Sequence, residues 1–306
     1  MSFKTHIFKF STILFFIIAI SISAQDVTVD AKHVRGSVYM LRSNSNIGNP
    51  TSVACIDSSG TFLADANLLI ASEALDTKLQ ELGSNDLKYV ISSHHHGDHS
   101  EGFEYFYNQA TLITPTHQRE HLKTGNIVKG GRPINPEALP QLTFEKKIIV
   151  YLGDEEIEVF TPPHVNAHTN GDAFVYFKNA NVLYVGDHLF LDRFPIVDIE
   201  AGGDLFGVLS NLEEVLKSYN DDLIILPGHG TFPPHEIAFA TKADVQRNID
   251  LLKESVVIIQ AKINEGKSLE EIQQEGFPEK FDMYKSKPRY VSPERWIKFV
   301  YENYKS

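Results

Sequence analysis

Cysteine is almost missing from this chain: Cys55 is the only one in 306 residues. No intrachain disulfide can form, and no thiolate cluster can hold a metal. Positive charge is also scarce. The chain has 28 Lys and Arg against 40 Asp and Glu, a net charge of −12, which argues against a polyanion such as DNA as a partner. Beyond the first residues no linker, low-complexity tract or short-period repeat appears, so one domain is the simplest organisation. With 42% hydrophobic residues the chain can bury a sizeable core without disulfide or metal staples. Histidine is in surplus: there are 13, and four of them fall between positions 94 and 99.

The first 24 residues read as a secretory signal peptide. Lys4 and Lys9 precede an apolar run from Phe10 to Ile20, and Ser21-Ile22-Ser23-Ala24 offers a small-residue cleavage site. The run is too short to span a bilayer comfortably, and no cysteine follows it to carry a lipid, so no stable membrane anchor is expected. Residues 25–306 are then a single domain with 26 basic and 40 acidic groups, expected in the periplasm or secreted. A domain of this size does not need disulfides outside the cell.

Short β-rich runs come first, at Val34 to Leu41, Thr51 to Asp57 and Thr61 to Ala64. Apolar residues at helical spacing predict a helix from Ala71 to Leu82, with Gly83 as its stop. Leu87 to Ser92 is a buried strand leading into His94. Two strand pairs follow, Lys147–Tyr151 with Ile157–Phe160 and Ala173–Phe177 with Val182–Val185. Their hairpin breaks are Gly153-Asp154 and Asn179-Ala180-Asn181. A helix from Leu205 to Tyr219 precedes the strand Leu223 to Leu226, and the chain is mostly helical from Pro234 onward, with Trp296 docking the last helix. Strand clusters separated by amphipathic helices point to an α/β fold of two facing sheets with helices outside, an αββα sandwich.

The segment Ser92-Ser93-His94-His95-His96-Gly97-Asp98-His99 carries the chemistry. In extended or loop backbone, residues i and i+2 point the same way, so His94 and His96 can close on one ion. Gly97 argues against a helix here, and Asp98 and His99 can serve a second ion. Nitrogen and oxygen donors suit zinc, and iron and manganese accept the same set. More ligands must come from elsewhere. His168, Asp187 and His229 each stand just past a strand-like run, where a sandwich would gather them at one rim. The glycines beside Asp187 and His229 allow the sharp turns that present them.

With these residues the chain resembles the metallo-β-lactamase fold superfamily. The HxHxDH motif is met by His94, His96, Asp98 and His99, and the likeness continues through Ala167–Asp172, Gly186-Asp187 and Pro227–Gly230. The resemblance implies one metal on His94, His96 and His168, a second on Asp98, His99 and His229, and Asp187 bridging them. His164 could exchange roles with His168, but the His-Thr-Asn-Gly-Asp context favours His168. His95 should point away from the metals, toward solvent or behind the ligands, and His188 reads as structural. Two ions held there would lower the pKa of a nearby water for attack on a carbonyl carbon, and Asp98 would be placed to orient that water.

Substrate is less legible, because the superfamily cleaves β-lactams, thioesters, lactones and phosphoesters. The expectation is a hydrolase of a small-molecule ester, lactone, thioester or amide. Against a β-lactamase, Asp187 replaces the cysteine ligand of one β-lactamase subclass, and Phe190 replaces that subclass's substrate-binding lysine. For it stand export and His99, which matches another subclass. A mononuclear-iron enzyme resembling persulfide dioxygenases, and a metal-dependent binding protein without turnover, are the rivals from other classes. Lys129 and Arg132, in a Gly- and Pro-rich stretch from Gly125 to Pro140, and Arg193 are candidates for substrate contact.

Overall fold

Gly36 opens the fold as a hairpin. Thr28–Arg35 (β1) pairs antiparallel with Val38–Asn44 (β2), and Gly36 between them sits at φ +59°, so the run expected from Val34 to Leu41 is divided between two strands. A computed structural model of the chain describes residues 27–45, 49–125, 132–191, 193–230, 239–285 and 291–304. The expected signal peptide and Lys129 lie outside the described residues.

Thr51–Asp57 (β3) and Gly60–Ala64 (β4) continue the antiparallel order, and Asp57 closes their turn by accepting the Ser59 N–H at 2.8 Å. From β4 onward the pairing is parallel. Leu87–Ile91 (β5), Thr111–Pro115 (β6) and Leu142–Phe144 (β7) complete a seven-stranded sheet in chain order. Parallel strands require crossovers. Here they contain Ser72–Glu81 (α1), the one-turn Gly97–Ser100 (α2) and Phe103–Phe106 (α3), and Thr116–Thr124 (α4).

The second sheet is a meander of Lys147–Leu152 (β8), Glu155–Phe160 (β9), Phe174–Phe177 (β10) and Val182–Tyr184 (β11). Gly153 at φ +57° and Asn181 at φ +52° make the two expected hairpin breaks. Leu205–Ser218 (α5) then crosses to Ile224–Leu226 (β12), which lies parallel to β11. Lys242–Asn264 (α6), Leu269–Glu275 (α7), Asp282–Lys285 (α8) and Pro293–Asn303 (α9) make the helical C-terminal region. Capping boxes at Thr241 and Ser268, and Ser292 before Pro293, fix where three of them begin.

Three apolar layers hold this together. Leu41, Leu63, Leu75, Leu79 and Phe103 pack α1 and α3 onto the outside of the first sheet. Val53, Phe62, Val159, Val175 and Phe177 fill the space between the sheets. Leu183, Ile225, Leu212, Ile249 and Trp296 join the second sheet to α5, α6 and α9. Trp296 docks the last helix as expected, donating to Ser255 Oγ at 2.9 Å and stacking on Phe194. The chain thus forms the αββα sandwich that its pattern predicts. Among the described residues no helix is long and apolar enough to cross a membrane.

Candidate metal centre

Strand polarity brings the chemistry to one rim. β4, β5, β9, β11 and β12 all end there, and the segments that follow them carry Asp65, His94–His99, His168, Asp187 and His229. After β5 the backbone bends through residues 93–96, His96 itself is extended (φ −60°, ψ 146°), and α2 starts at Gly97. Asp98 and His99 therefore stand on the first turn of a short helix, where a loop was expected. Gly186 has φ +53°, and a Cβ on Gly228 would lie 2.1 Å from Asp187 Oδ1, so both ligand turns depend on glycine.

All seven residues singled out in the sequence converge. Donor atoms of His94, His96, His168 and Asp187 lie within 4.8 Å of one another, and so do those of Asp98, His99 and His229. His96 Nδ1 is 3.0 Å from His94 Nε2 and 3.1 Å from His168 Nε2. Asp98 Oδ2 is 3.2 Å from His229 Nε2 and 3.6 Å from His99 Nε2. Asp187 stands between the groups. Its Oδ2 is 3.8 Å from His168 Nε2, 3.9 Å from His94 Nε2 and 3.4 Å from His229 Nε2, and its Oδ1 is 3.4 Å from His99 Nε2.

The outward nitrogens fix what the inward ones present. His168 Nδ1 donates to the Ile196 carbonyl at 2.8 Å, and His96 Nε2 donates to Asp198 Oδ2 at 3.0 Å. Ser93 Oγ gives its proton to Asp65 Oδ2, so it accepts from His94 Nδ1 at 3.0 Å. Each ring therefore turns a bare lone pair inward, and His96 Nδ1 cannot satisfy, or be satisfied by, the two acceptors about 3 Å from it. Asp187 Oδ1 is buried with no hydrogen bond among the described residues. A pocket lined by lone pairs and carboxylate oxygen fits a divalent cation.

Electrostatics separates the two groups. Burial, with the neighbouring histidines, holds His94 well below the ordinary imidazole range, and burial beside His96 takes His168 down to about 4. Burial opposes charging His99 as well, but the carboxylates of Asp98, Asp187 and Asp65 raise it to about 9. Asp98 and Asp187 are held below the usual carboxylate range: burial works against ionisation, and His99 and His229 outweigh it.

The outer supports went unread in the sequence. Asp65 takes the Ser93 N–H and the Tyr184 hydroxyl, each at 2.5 Å, and His99 Nδ1 at 2.5 Å. It does so from φ +65°, with Asn67 at φ +69°, a local strain of the kind found at functional sites. Asp198 was likewise missed. It forms a further close trio with His95 and His96.

The remaining histidines sort by burial. His164 is exposed and bonds Asn211 through its backbone N–H and carbonyl, whereas His168 is buried. His95 stands outside both groups around Asp187 but not in solvent: it is buried and stacked on His121, ring centroids 4.3 Å apart. His188 packs on Phe174 and meets Asn211, which agrees with a structural role. Arg132 is clamped by both oxygens of Glu104, at 2.5 and 2.6 Å. Arg193 is buried and donates to the Gly230 carbonyl at 2.9 Å, bracing the turn that carries His229.

Two facing sheets with histidines and aspartates gathered at one rim define a metal-binding α/β sandwich. The sequence profile of the metallo-beta-lactamase superfamily matches residues 39–229, and the chain belongs to this superfamily. A probable metallo-hydrolase of Methanocaldococcus jannaschii is 27% identical over 208 residues, 64% of this chain and 91% of that protein. Among solved structures, DIM-1 metallo-beta-lactamase superposes with a TM-score of 0.60 at 19% identity, over 75% of this chain and 100% of its own. A metallo-beta-lactamase from Pontibacter korlensis gives 0.58 at 17% identity, over 74% and 99%. At these identities the structures speak for the fold. The helices α6 to α9 lie beyond the profile match.

Proposed function

We propose that the protein is an exported, metal-dependent hydrolase that opens a small-molecule ester, lactone, thioester or amide bond. The observation that carries this is the pair of donor groups on either side of Asp187, with inward lone pairs fixed by outward hydrogen bonds. His94, His96 and His168 would hold one ion, Asp98, His99 and His229 the other, with Asp187 shared. Zinc suits these donors best, iron and manganese next. When bound, two such ions polarise a carbonyl oxygen and lower the pKa of a nearby water.

The chain's own residues divide the remaining work. Asp98 is the most accessible of the carboxylates, with 30% of its side chain exposed against 4% for Asp187. Its Oδ2 faces His99 and His229, which leaves Oδ1 to orient the attacking water and take its proton. Phe190 is buried and stacked on His229, 5.7 Å between centroids, so it brings no charge to meet a substrate carboxylate. That supports a neutral ester or lactone over a β-lactam. The complete second donor group supports two metals over a mononuclear-iron oxidoreductase. Export rests on the Lys4–Ala24 segment.

Metal analysis of the purified protein, with chromogenic lactone, ester, thioester, β-lactam and phosphodiester substrates, tests the proposal. Two equivalents of zinc with turnover of a lactone or ester is the expected result. One equivalent of iron, oxygen consumption and no hydrolysis would overturn it.

A further inference from the structure

We infer that Asp198 is a positioning residue of the metal centre, and that the C-terminal helix α9 holds it in place through Tyr304. This rests on the metallohydrolase reading above and extends it to residues outside the superfamily profile.

His96 differs from its neighbours in turning Nδ1 inward, which leaves Nε2 to be satisfied outside. Asp198 Oδ2 accepts that Nε2–H at 3.0 Å, and both side chains retain only 9% exposure. A carboxylate here keeps the proton on Nε2 and the lone pair on Nδ1. The other oxygen of Asp198 is engaged too, accepting the Ala201 N–H at 3.1 Å. The backbone is stitched down as well: Asp198 N–H donates to the His168 carbonyl at 2.9 Å, and its own carbonyl accepts Gly203 N–H at 2.7 Å. One short loop thus supports two members of the same donor group.

The far end of this loop is tied to the C-terminus. Asp204 N–H donates to the Ala167 carbonyl at 2.7 Å and its side chain caps α5. The Tyr304 hydroxyl donates to Asp204 Oδ1 at 2.9 Å and accepts the Leu205 N–H at 2.8 Å, while its ring meets Phe206 edge-on. Gln260 on α6 holds the Tyr304 carbonyl at 3.2 Å. Tyr304 lies outside the matched span of 39–229, so the C-terminal helices brace the metal rim from behind.

The test compares Zn2+ affinity at each site, by competition with a chromophoric chelator, and the visible spectrum of the Co2+ form. Asp198→Ala removes the acceptor. Asp198→Asn is sharper, because its amide cannot accept from both Ala201 N–H and His96 Nε2–H. With its oxygen on Ala201, the NH2 faces His96 and favours the wrong tautomer. Loss of such a support is expected to weaken the His94–His96–His168 site by about 10- to 100-fold. The Asp98–His99–His229 site and the melting cooperativity should be kept, and the Co2+ spectrum should change at the first site only. Tyr304→Phe keeps the ring and removes two hydrogen bonds, with about a fivefold loss expected at the same site. Wild-type affinity at both sites in the Asp198 variants, or equal loss at both, would overturn the inference. Unchanged affinity in Tyr304→Phe would overturn the share given to the C-terminus. A wild-type chain that binds no divalent ion would overturn the metallohydrolase reading and the inference with it.

Discussion

His94, His96 and His168 stand on one side of Asp187, and Asp98, His99 and His229 on the other, and the two trios are supported differently. The first is all imidazole and buried, and burial with the neighbouring histidines holds His94 and His168 below the ordinary imidazole range. Its outward nitrogens end on a carbonyl, a hydroxyl and a carboxylate. The second contains a partly exposed carboxylate and a histidine driven toward its charged form by three acids. On the proposed reading, the enclosed imidazole trio would hold an ion in a fixed place, and the more accessible trio would exchange water and meet substrate. The same rim would then separate holding from reacting.

Removing the residue that stands between the two trios should have the largest effect. Asp187→Ala is expected to release metal from both sites and to lower hydrolysis by roughly a thousandfold or more, read by metal content and initial rates together. Retention of two ions would show that Asp187 joins nothing. Asp98→Asn should act on one side alone: the imidazole trio keeps its ion while kcat falls by about a hundredfold or more. Full turnover in this variant would remove Asp98 from the reaction and collapse the contrast.

The convergence of all seven residues was legible in the sequence because each follows a strand, and strands that end at one rim deliver their next residues to one place. His94 and His96 were legible twice over, since i and i+2 coincide in extended chain, and they do lie 3.0 Å apart. Asp65 obeys the same rule after β4 but stands alone, without a histidine pattern to mark it. Asp198 carries no local signal: it reaches His96 only when a loop about a hundred residues away closes on the His168 segment. The stretch from β6 to β7 was also missed, because strands of five and three residues are too short for a period and Pro115 disguises the first. Helix α2 fits within a single turn, so Gly97 read as a break when it is the first helical residue.

Proton linkage sharpens the contrast in the metal-free protein. His99, raised to about 9 from an ordinary value of 6.5, contributes stability that is complete below 6.5 and lost as pH rises through 9. His168, lowered to about 4, contributes in the other direction: its share is present above 6.5 and lost as pH falls toward 4. Chelator-treated protein should thus be most stable near pH 6.5, with the acid-side loss coming from the imidazole trio and the alkaline loss from the acidic one. Chemical unfolding across pH 4 to 10 checks this, and Zn2+ should flatten the alkaline limb. A stability curve that is flat between pH 6.5 and 9 without metal would mean that His99 carries no extra proton.

The smallest effect is expected at a histidine inside the motif that belongs to neither trio. His95 is buried against His121, burial lowers it to about 2, and neither ring nitrogen has a hydrogen bond among the described residues. A neutral ring with unused polar atoms acts as an aromatic spacer, and replacing such atoms by carbon is nearly neutral or stabilising. His95→Phe keeps a flat ring on His121 and should change unfolding free energy by less than about 1.5 kcal/mol, with metal content and turnover unchanged. Because His95, His96 and Asp198 also lie within 4.8 Å of one another, loss of an ion in this variant would place a donor where the spacer is expected. The imidazole trio would then no longer be closed on its outer side, and the division between an enclosed site and an open one would have to be redrawn.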